Sequence, residues 1–388
     1  MKILTIDDQQ LILLSVEKRL TELGYEVKTA NSGKAGIAAI DTFDPDMVIV
    51  DINMPDLSGI EVIQHIRIVR NLHIPILVMS GNTNEKTILE SYNLGIDDYM
   101  KKPVSLDEMV ARINRILGNN FVQLYTETNV DTKIIGQYGV GVVIPCYNEE
   151  NRLSSALFKD FIDKNVGYHL CFVNDGSTDS TLEILENLRK GSEENISIFN
   201  CEKNGGKAEA VRQGIQFLSK QNDFDFIGYL DADLSTDFRD FDDLVKTIGD
   251  SDFKIVSGSR ITRMGAKIAK ESARKIISKT INLIIQNILG MPFKDTQCGA
   301  KIMDKEIASL MFEKKFITKW LFDVEIFMRM RRHYGRDKVR KYICEQPLKR
   351  WVHVDDSKLS MKDSVKIVGQ LGQIALHYKQ LKTVDENM

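Results

Sequence analysis

The sequence lacks a large net charge, a cysteine pairing pattern and a long apolar run. Its 388 residues carry a formal net charge of −3, which argues against a dedicated nucleic-acid binder. The five cysteines show no CxxC spacing, so neither a disulfide framework nor a zinc site is expected, and a reducing cytoplasm is the predicted setting. No run approaches the roughly 18 apolar residues of a membrane-spanning helix, and acidic residues follow the first strand too early for a secretory signal. We therefore expect a cytoplasmic chain of two or three domains.

Residues 1–118 alternate short β-branched runs with segments of helical periodicity. Five strands alternating with five helices predict an α/β fold with a doubly wound parallel sheet. Functional groups of such sheets gather at the carboxyl ends of the strands. The polar residues that follow these strands are Asp7, Asp8, Asp51, Ser80 and Lys102. Three carboxylates at one edge of a sheet predict a Mg²⁺ site.

The motifs DD, DINMPDLSG, VMSG and DDYMKKP stand in the order of a response-regulator receiver domain, which residues 1–118 resemble. The resemblance implies that Asp51 accepts a phosphoryl group from a histidine kinase or phosphotransfer protein. It also implies a Mg²⁺ site formed by Asp7, Asp8, Asp51 and the Asn53 carbonyl. The switch residues that it implies are Ser80, Tyr99 and Lys102. Gly81 departs from the alanine common in that family and is expected to loosen the loop. The alternative, a flavodoxin-like domain with ordinary surface acids, leaves the placement of Ser80 and Lys102 unexplained.

Residues 119–137 lack clear periodicity and are interpreted as a linker, after which strand–helix alternation predicts a second α/β domain over 138–360. The ends of its strands carry groups suited to a nucleotide sugar, namely Tyr147, Glu149, Asp175, Lys207, Asp231 and Asp233. The glycine pair before Lys207, at a predicted helix start, indicates a cradle for a pyrophosphate. Asp231 and Asp233 predict a Mg²⁺ or Mn²⁺ ion that neutralises the charge of a leaving diphosphate.

In their order, the motifs VVIPCYNEENRL, NDGSTDST, NGGKAEAVRQG, DADLST, SGSR, DTQCGAKI and WLFDVEI resemble the family 2 glycosyltransferases. The dolichyl-phosphate β-glucosyltransferase branch is the more similar one. The resemblance implies a GT-A fold, which is Rossmann-like with a mixed sheet, and an inverting transfer of a hexose. UDP-glucose is the expected donor, with other UDP-hexoses or GDP-mannose open. The resemblance adds Pro145 and Ala232 to the residues expected to bind the donor. It also implies two catalytic residues, Asp233 and Asp323. Asn174 replaces a usual aspartate and Ala300 a usual aromatic residue, which leaves the base contact and the acceptor pocket open.

The acceptor decides whether a base is needed. A polyprenyl phosphate is largely ionised near neutral pH, because the second pKa of a phosphate monoester is about 6. A hydroxyl acceptor requires a carboxylate, for which Asp323 is the candidate, with a helix cap as the equal alternative. Arg260 and Arg263 are predicted to bind an acceptor phosphate. They begin the basic segment 260–279, which fits either a membrane-adjacent element or a solvated face.

The tail, 361–388, has an apolar helical stripe that would pack on the domain, pair with another copy or lie in a membrane interface. Receivers often dimerise, so a homodimer stays open. The sequence as a whole predicts a phosphorelay-regulated glycosyltransferase, cytoplasmic or peripheral at the inner face of the cell membrane, with Asp51 phosphorylation as its switch. The alternative is a non-catalytic signalling scaffold that binds a nucleotide sugar. No helix-turn-helix pattern follows residue 118, so a DNA-binding regulator is not expected.

Overall fold

A computed structural model of the chain describes residues 1–81, 84–118, 134–221, 224–260, 272–350 and 361–380. The chain divides into two compact units. The first comprises Met1–Gly139 with Leu157–Tyr168, and the second comprises Val140–Ala156 with His169–Met388. The domain limits taken from the sequence remain predictions.

The first unit contains a parallel sheet in the order β2-β1-β3-β4-β5. Its strands are β1 (Lys2–Ile6), β2 (Glu26–Ala30), β3 (Met47–Asp51), β4 (Ile76–Ser80) and β5 (Asp98–Lys101). Its helices are α1 (Gln10–Glu22), α2 (Gly33–Phe43), α3 (Gly59–Gln64), α4 (Glu85–Asn93) and α5 (Leu106–Ile116), with a π-helical turn at His65–Val69. Every residue of β3 and β4 is buried, as expected of strands covered on both faces. The predicted doubly wound sheet is confirmed.

Alternation along the strands of the first unit divides its core between the two faces of the sheet. Ile3 and Ile49 belong to one apolar cluster, whereas Leu4 and Val50 belong to the other. This period of two is the property of a β-strand that sends successive side chains to opposite faces. Apolar side chains therefore fill both faces of the sheet, and the acids Asp7 and Asp51 lie at strand ends.

The remaining strands form a mixed sheet with the order β13-β11-β12-β10-β7-β8-β9. They are β7 (Ile134–Cys146), β8 (Asn165–Asn174), β9 (Ile196–Asn200), β10 (Phe226–Leu230), β11 (Ile255–Ser259), β12 (Ala300–Asp304) and β13 (Ile343–Pro347); the two-residue β6 (Val104–Ser105) pairs with the start of β7. β12 runs antiparallel to both of its neighbours, whereas β7 and β10 are parallel. The predicted mixed sheet is confirmed. β7 begins at Ile134, inside the segment interpreted as a linker, and residues 119–133 lie outside the described residues.

The helices that follow β7 lie between and after these strands. They are α6 (Ser155–Lys164), α7 (Thr181–Arg189), α8 (Lys207–Ser219), α9 (Phe238–Gly249), α10 (Ser272–Leu289), α11 (Lys305–Met311), α12 (Phe322–Tyr334) and α13 (Met361–Gln380), with a 3₁₀ turn at Val339–Lys341. Within the described ranges, no helix has both the length and the apolar character needed to cross a membrane.

The C-terminal helix α13 packs within the second unit. Leu371 and Ile374 are fully buried, and the Tyr378 hydroxyl accepts a hydrogen bond from Arg329 Nε at 3.1 Å. Packing was the first of the three expectations for this segment.

Candidate functional sites

The first site is an acidic cluster at the carboxyl ends of β1 and β3. Asp7, Asp8 and Asp51 each offer an oxygen within 4.8 Å of the others. Lys102, which follows β5 and is 1% exposed, places Nζ 2.7 Å from Asp7 Oδ2 and 3.0 Å from Asp51 Oδ2. One ammonium against three carboxylates leaves two negative charges, which matches a single divalent cation with oxygen ligands. The structure thus brings together the acids that the sequence predicted.

Burial governs the ionisation of this cluster. Desolvation raises the pKa of Asp7 to about 6 although the Lys102 ammonium opposes the shift. Burial lowers the pKa of Lys102, but the carboxylates of Asp51 and Asp7 outweigh it and the pKa is raised. The lysine therefore stays protonated and holds the acids together by charge.

The switch residues adjoin the cluster. Ser80 is fully buried at the end of β4, and its side chain is hydrogen-bonded to Tyr99, whose pKa is raised mainly by burial. The next residue is Gly81. A Cβ atom at this position would lie 2.7 Å from Gln137 Cγ, and Gln137 Nε2 donates to the Gly81 carbonyl at 3.3 Å. Glycine therefore makes room for Gln137, which is a physical reason for its departure from the family's alanine.

The second site lies at the end of β10, where Asp231 and Asp233 stand. The first residue of α8, Lys207, places Nζ 2.5 Å from Asp231 Oδ1. Burial lowers the pKa of Lys207, but the nearby carboxylates, led by Asp231, outweigh it and the pKa is raised. Gly299 leaves space on the other side, because a Cβ there would lie 1.8 Å from Asp231 Oδ2. Asp233 Oδ1 accepts a hydrogen bond from the Ser235 amide at 2.9 Å.

Glu149, just after β7, adds a third acid to this region. Its Oε1 accepts from Arg152 Nη2 at 2.8 Å, whereas its Oε2 is buried and has no hydrogen-bond partner among the described residues. Burial raises the pKa of Glu149, and the charges of Asp233 and Asp231 act in the same direction while Arg152 opposes them. A buried acceptor without a partner marks a place where a ligand donor is expected.

Asp175 directly follows β8, as expected, and it bonds the glycine pair before Lys207. Its two carboxylate oxygens accept from the amides of Gly205 and Gly206, both at 2.8 Å. The glycine amides expected to cradle a pyrophosphate are thus paired with the aspartate expected to contact the donor. Asp175 shapes the loop that presents Lys207 at the start of α8.

The other predicted donor residues border the same strand ends. Tyr147 is 46% exposed, whereas Ala232, between the two aspartates, is buried. Pro145 lies half-buried near the end of β7. Asn174 is buried and donates to Asn200 Oδ1 at 2.6 Å. An amide side chain can make this bond while accepting from the Ser177 amide, a combination that a carboxylate could not provide.

Arg260 is bound to an acid that the sequence reasoning did not single out. Its Nε and Nη2 donate to the two oxygens of Asp295 at 2.7 and 2.8 Å. The Asp295 amide in turn donates to Glu345 Oε1 on β13 at 2.6 Å. The guanidinium is therefore held in place by a two-point ion pair. Arg263 lies outside the described residues.

Asp323 is 5% exposed and occupies the second position of α12. Its Oδ1 accepts from Lys301 Nζ at 2.6 Å and also from the Tyr229 hydroxyl. Leu321, not Asp323, is the N-cap residue. Lys301 and Tyr229 were missed in the sequence, although a lysine inside the apolar strand AKIM is itself the signal of a buried ion pair.

The residues of the second site fit a divalent cation shared with a ligand. Mg²⁺ in nucleotide sites is commonly held by one or two carboxylates together with substrate phosphates. Asp231 and Asp233 supply such carboxylates. Among the described residues, Asp7, Asp8 and Asp51 of the first unit are the only three side chains of metal-ligating type with oxygens all within 4.8 Å of one another.

Comparison with known proteins gives two independent matches along the chain. Residues 3–114 match the family model described as the response regulator receiver domain, and residues 141–312 match that of glycosyl transferase family 2. A dolichyl-phosphate beta-glucosyltransferase of Dictyostelium discoideum is 31% identical over 254 residues, covering 62% of this chain and 74% of that protein.

The N-terminal match extends to regulators of known type. The cell cycle transcriptional regulator CtrA of Caulobacter vibrioides is 34% identical over 117 residues, 30% of this chain and 50% of that protein. Among solved structures, the Vibrio cholerae chemotaxis protein CheY4 is 28% identical, with a TM-score of 0.29, covering 30% of this chain and 97% of that one.

Proposed function

The chain belongs to glycosyl transferase family 2 and carries a response regulator receiver domain at its N-terminus, and on this premise we propose that it transfers a hexose from UDP-glucose to a polyprenyl phosphate. The convergence of Lys207, Asp231, Asp233 and the unpartnered Glu149 oxygen carries the proposal. These groups suit a ligand that combines hydroxyl donors with a diphosphate.

The proposed reaction is a direct displacement. An acceptor oxygen forms a bond to the anomeric carbon while the bond from that carbon to the diphosphate breaks, and the diphosphate leaves with the electron pair. Lys207 places a positive charge where the leaving group becomes more negative. A Mg²⁺ or Mn²⁺ ion held by Asp231 and Asp233 would neutralise further charge on that group. Glu149 Oε2 is available to accept a bond from a donor hydroxyl.

The state of Asp323 favours a phosphate acceptor. Its Oδ1 already accepts hydrogen bonds from Lys301 and Tyr229, so this oxygen is not free to take a hydroxyl proton. A phosphate oxygen needs no such base, since its second pKa is about 6. We propose that Asp323 positions Lys301 and Tyr229 beside the site. An assay of transfer to a hydroxyl acceptor tests whether Asp323 also acts as a base.

The test of the transfer uses the purified full chain with UDP-glucose, a polyprenyl phosphate and Mn²⁺ or Mg²⁺. We expect UDP release together with a glycosylated lipid, both lost on chelation. Asp233→Asn should lower the rate by about 100-fold or more, because it removes charge stabilisation from the leaving group. Asp252→Asn, at an exposed position of the same unit, is the matched control. An unchanged rate in Asp233→Asn contradicts the proposed metal site.

We further propose that phosphorylation of Asp51, by a histidine kinase or phosphotransfer protein, controls this transfer through Gln137. A new phosphoryl group beside Lys102 favours inward movement of Ser80 and of the loop after it. Gln137 contacts that loop at Gly81. The strand that bears Gln137 continues to Cys146 and is followed by Tyr147 and Glu149. A backbone change at Gly81 would therefore reach, through its contact with Gln137, a strand that ends beside two donor-binding residues.

The switch is tested with acetyl phosphate as the phosphoryl donor. Transfer by the wild type should change on phosphorylation, whereas Asp51→Asn should give one rate under both conditions. Gln137→Ala should still incorporate phosphate at Asp51 but lose most of the change in rate. Equal rates for wild type and Asp51→Asn with and without acetyl phosphate would remove the regulatory proposal.

A scaffold that binds a nucleotide sugar without turnover is the second candidate. The Lys301–Asp323 pair favours it for a hydroxyl acceptor, because it engages the carboxylate that was the candidate base. Calorimetry that detects metal-dependent binding of UDP-glucose, with no product from phosphate or hydroxyl acceptors, would decide for the scaffold.

A further inference from the structure

A loop between α11 and α12 exposes a large aromatic side chain. In this loop, residues 312–320, called here the Trp320 loop, Trp320 is 68% exposed and Ile317 is 43% exposed. Leu310, at the end of α11, is 43% exposed. Three exposed large apolar side chains in one short segment of the chain make this loop a candidate interaction site.

Two charged side chains of α12, Glu325 and Arg329, hold the Trp320 loop in one conformation. Glu325 is fully buried, and its two oxygens accept from the amides of Ile317 at 3.0 Å and Thr318 at 2.9 Å. Arg329 donates to the carbonyls of Lys314 and Lys315, both at 2.8 Å. Two charged side chains thus fix the backbone on either side of Phe316. The exposure of Trp320 is consequently a property of an ordered loop.

The charge of the Trp320 loop has one predominant sign. Lys314, Lys315 and Lys319 are exposed, and Glu313 is the one acid between residues 312 and 320. Tryptophan and lysine together are typical of segments that lie at a bilayer surface, where the indole enters the headgroup region and lysine meets anionic lipids.

The Trp320 loop also borders the diphosphate site. The Lys319 carbonyl accepts from the Ala208 amide at 3.3 Å, and the Lys319 side chain packs against Gly206. Lys207, between these two residues, is the group that pairs with Asp231. A surface that receives Trp320 would therefore lie at the mouth of the transfer site.

We propose that the Trp320 loop docks on an anionic lipid bilayer and so brings a membrane-held phosphate acceptor to the site. The chemistry of the loop indicates a bilayer as the partner. Its lysines complement anionic lipid headgroups, and its indole suits the boundary between the headgroups and the acyl chains. The inference rests on the proposed function for the identity of the acceptor, although the docking itself can be measured without any sugar transfer.

The experiment is flotation of the full chain with vesicles of phosphatidylcholine mixed with phosphatidylglycerol, compared with phosphatidylcholine alone. Wild type should float with the mixed vesicles. Lys314→Gln/Lys315→Gln should bind about 25-fold more weakly, because each lysine near an anionic surface contributes about fivefold. The matched control is Lys338→Gln/Lys341→Gln, two exposed lysines of the same unit. Equal loss in both pairs would show a non-specific charge effect and overturn the proposal.

A spectroscopic readout identifies the docking residue itself. The chain has two tryptophans, so Trp351→Phe leaves Trp320 as the reporter. Its emission should shift to shorter wavelength on adding mixed vesicles and should be quenched by brominated lipids. Flotation without any change in Trp320 emission would assign docking to another surface. A shift caused by a soluble oligosaccharide and not by vesicles would make the loop a glycan site and overturn the proposal.

A soluble acceptor separates failure of the inference from failure of the proposed function. Trp320→Ser should reduce transfer to vesicle-held polyprenyl phosphate by about tenfold more than transfer to a short-chain polyprenyl phosphate in solution, because only the first depends on docking. If the chain floats with vesicles but transfers sugar to neither acceptor, the proposed function is refuted and the docking proposal stands. Transfer to both without flotation refutes the surface and keeps the function.

Discussion

The two acidic sites of this chain place a lysine against their carboxylates in different ways. In the receiver domain, Lys102 is buried between Asp7 and Asp51 and bonds both of them. In the transferase domain, Lys207 pairs with Asp231 alone of the two aspartates, and its side chain is 25% exposed, while a nearby Glu149 oxygen has no partner among the described residues. The comparison teaches that the receiver lysine is shared by two acids and leaves charge for a divalent cation, whereas the transferase site keeps an acid oxygen without a partner among the described residues.

The largest expected effect is the loss of phosphorylation when the receiver site is changed at Asp51. Asp51→Asn should abolish phosphoryl incorporation from acetyl phosphate, because the carboxylate oxygen that would accept the phosphoryl group is lost. The substitution also weakens the ion pair with Lys102. Phosphate-affinity electrophoresis measures the incorporation. Asp44→Asn, at an exposed helix end, should incorporate phosphate as wild type does, and labelling of Asp51→Asn would show that another residue is the acceptor.

The second effect concerns the buried pair beneath the transferase site. Lys301→Met should destabilise the chain by about 3–5 kcal/mol, because it leaves the Asp323 carboxylate buried without its cation. Urea unfolding followed by circular dichroism measures the loss. The double variant Lys301→Met/Asp323→Leu should recover much of the stability, since both charges are then absent. A single variant as stable as wild type would mean that Asp323 is protonated or hydrated.

The third effect tests the role of Lys207 in the transferase site. Lys207→Met should lower the rate of transfer by about 100-fold, because a positive charge beside the leaving diphosphate is lost. Steady-state assays should place the loss mainly in kcat. Lys220→Met, at an exposed position after α8, should leave the rate unchanged. A loss confined to KM would assign Lys207 to donor binding and not to departure of the diphosphate.

The smallest effect tests the contact beside the switch. Gly81→Ala should destabilise the receiver unit by about 1–3 kcal/mol, because the added methyl group overlaps Gln137. The double variant Gly81→Ala/Gln137→Ala should restore stability, as measured by thermal unfolding. Additive losses in the double variant would mean that Gln137 does not cause the requirement for glycine.

The sequence predicted the parts of the structure that depend on periodicity and on strand ends. The parallel sheet of the first unit and the Asp7, Asp8 and Asp51 cluster followed from apolar runs that stop at acids. The partners of individual side chains were not predictable in this way. Asp175 bonds the glycine amides thirty residues away, and Asp323 meets a lysine on an antiparallel strand. Such pairs depend on tertiary packing, which local pattern does not encode.

The most direct test of the central claim is calorimetric titration of the full chain with UDP-glucose, with and without Mn²⁺. The account predicts binding that requires the metal and is lost in Asp233→Asn, because two carboxylates and a diphosphate together complete the site. Equal affinity without metal, or in Asp233→Asn, would contradict a site completed by a cation and a sugar nucleotide.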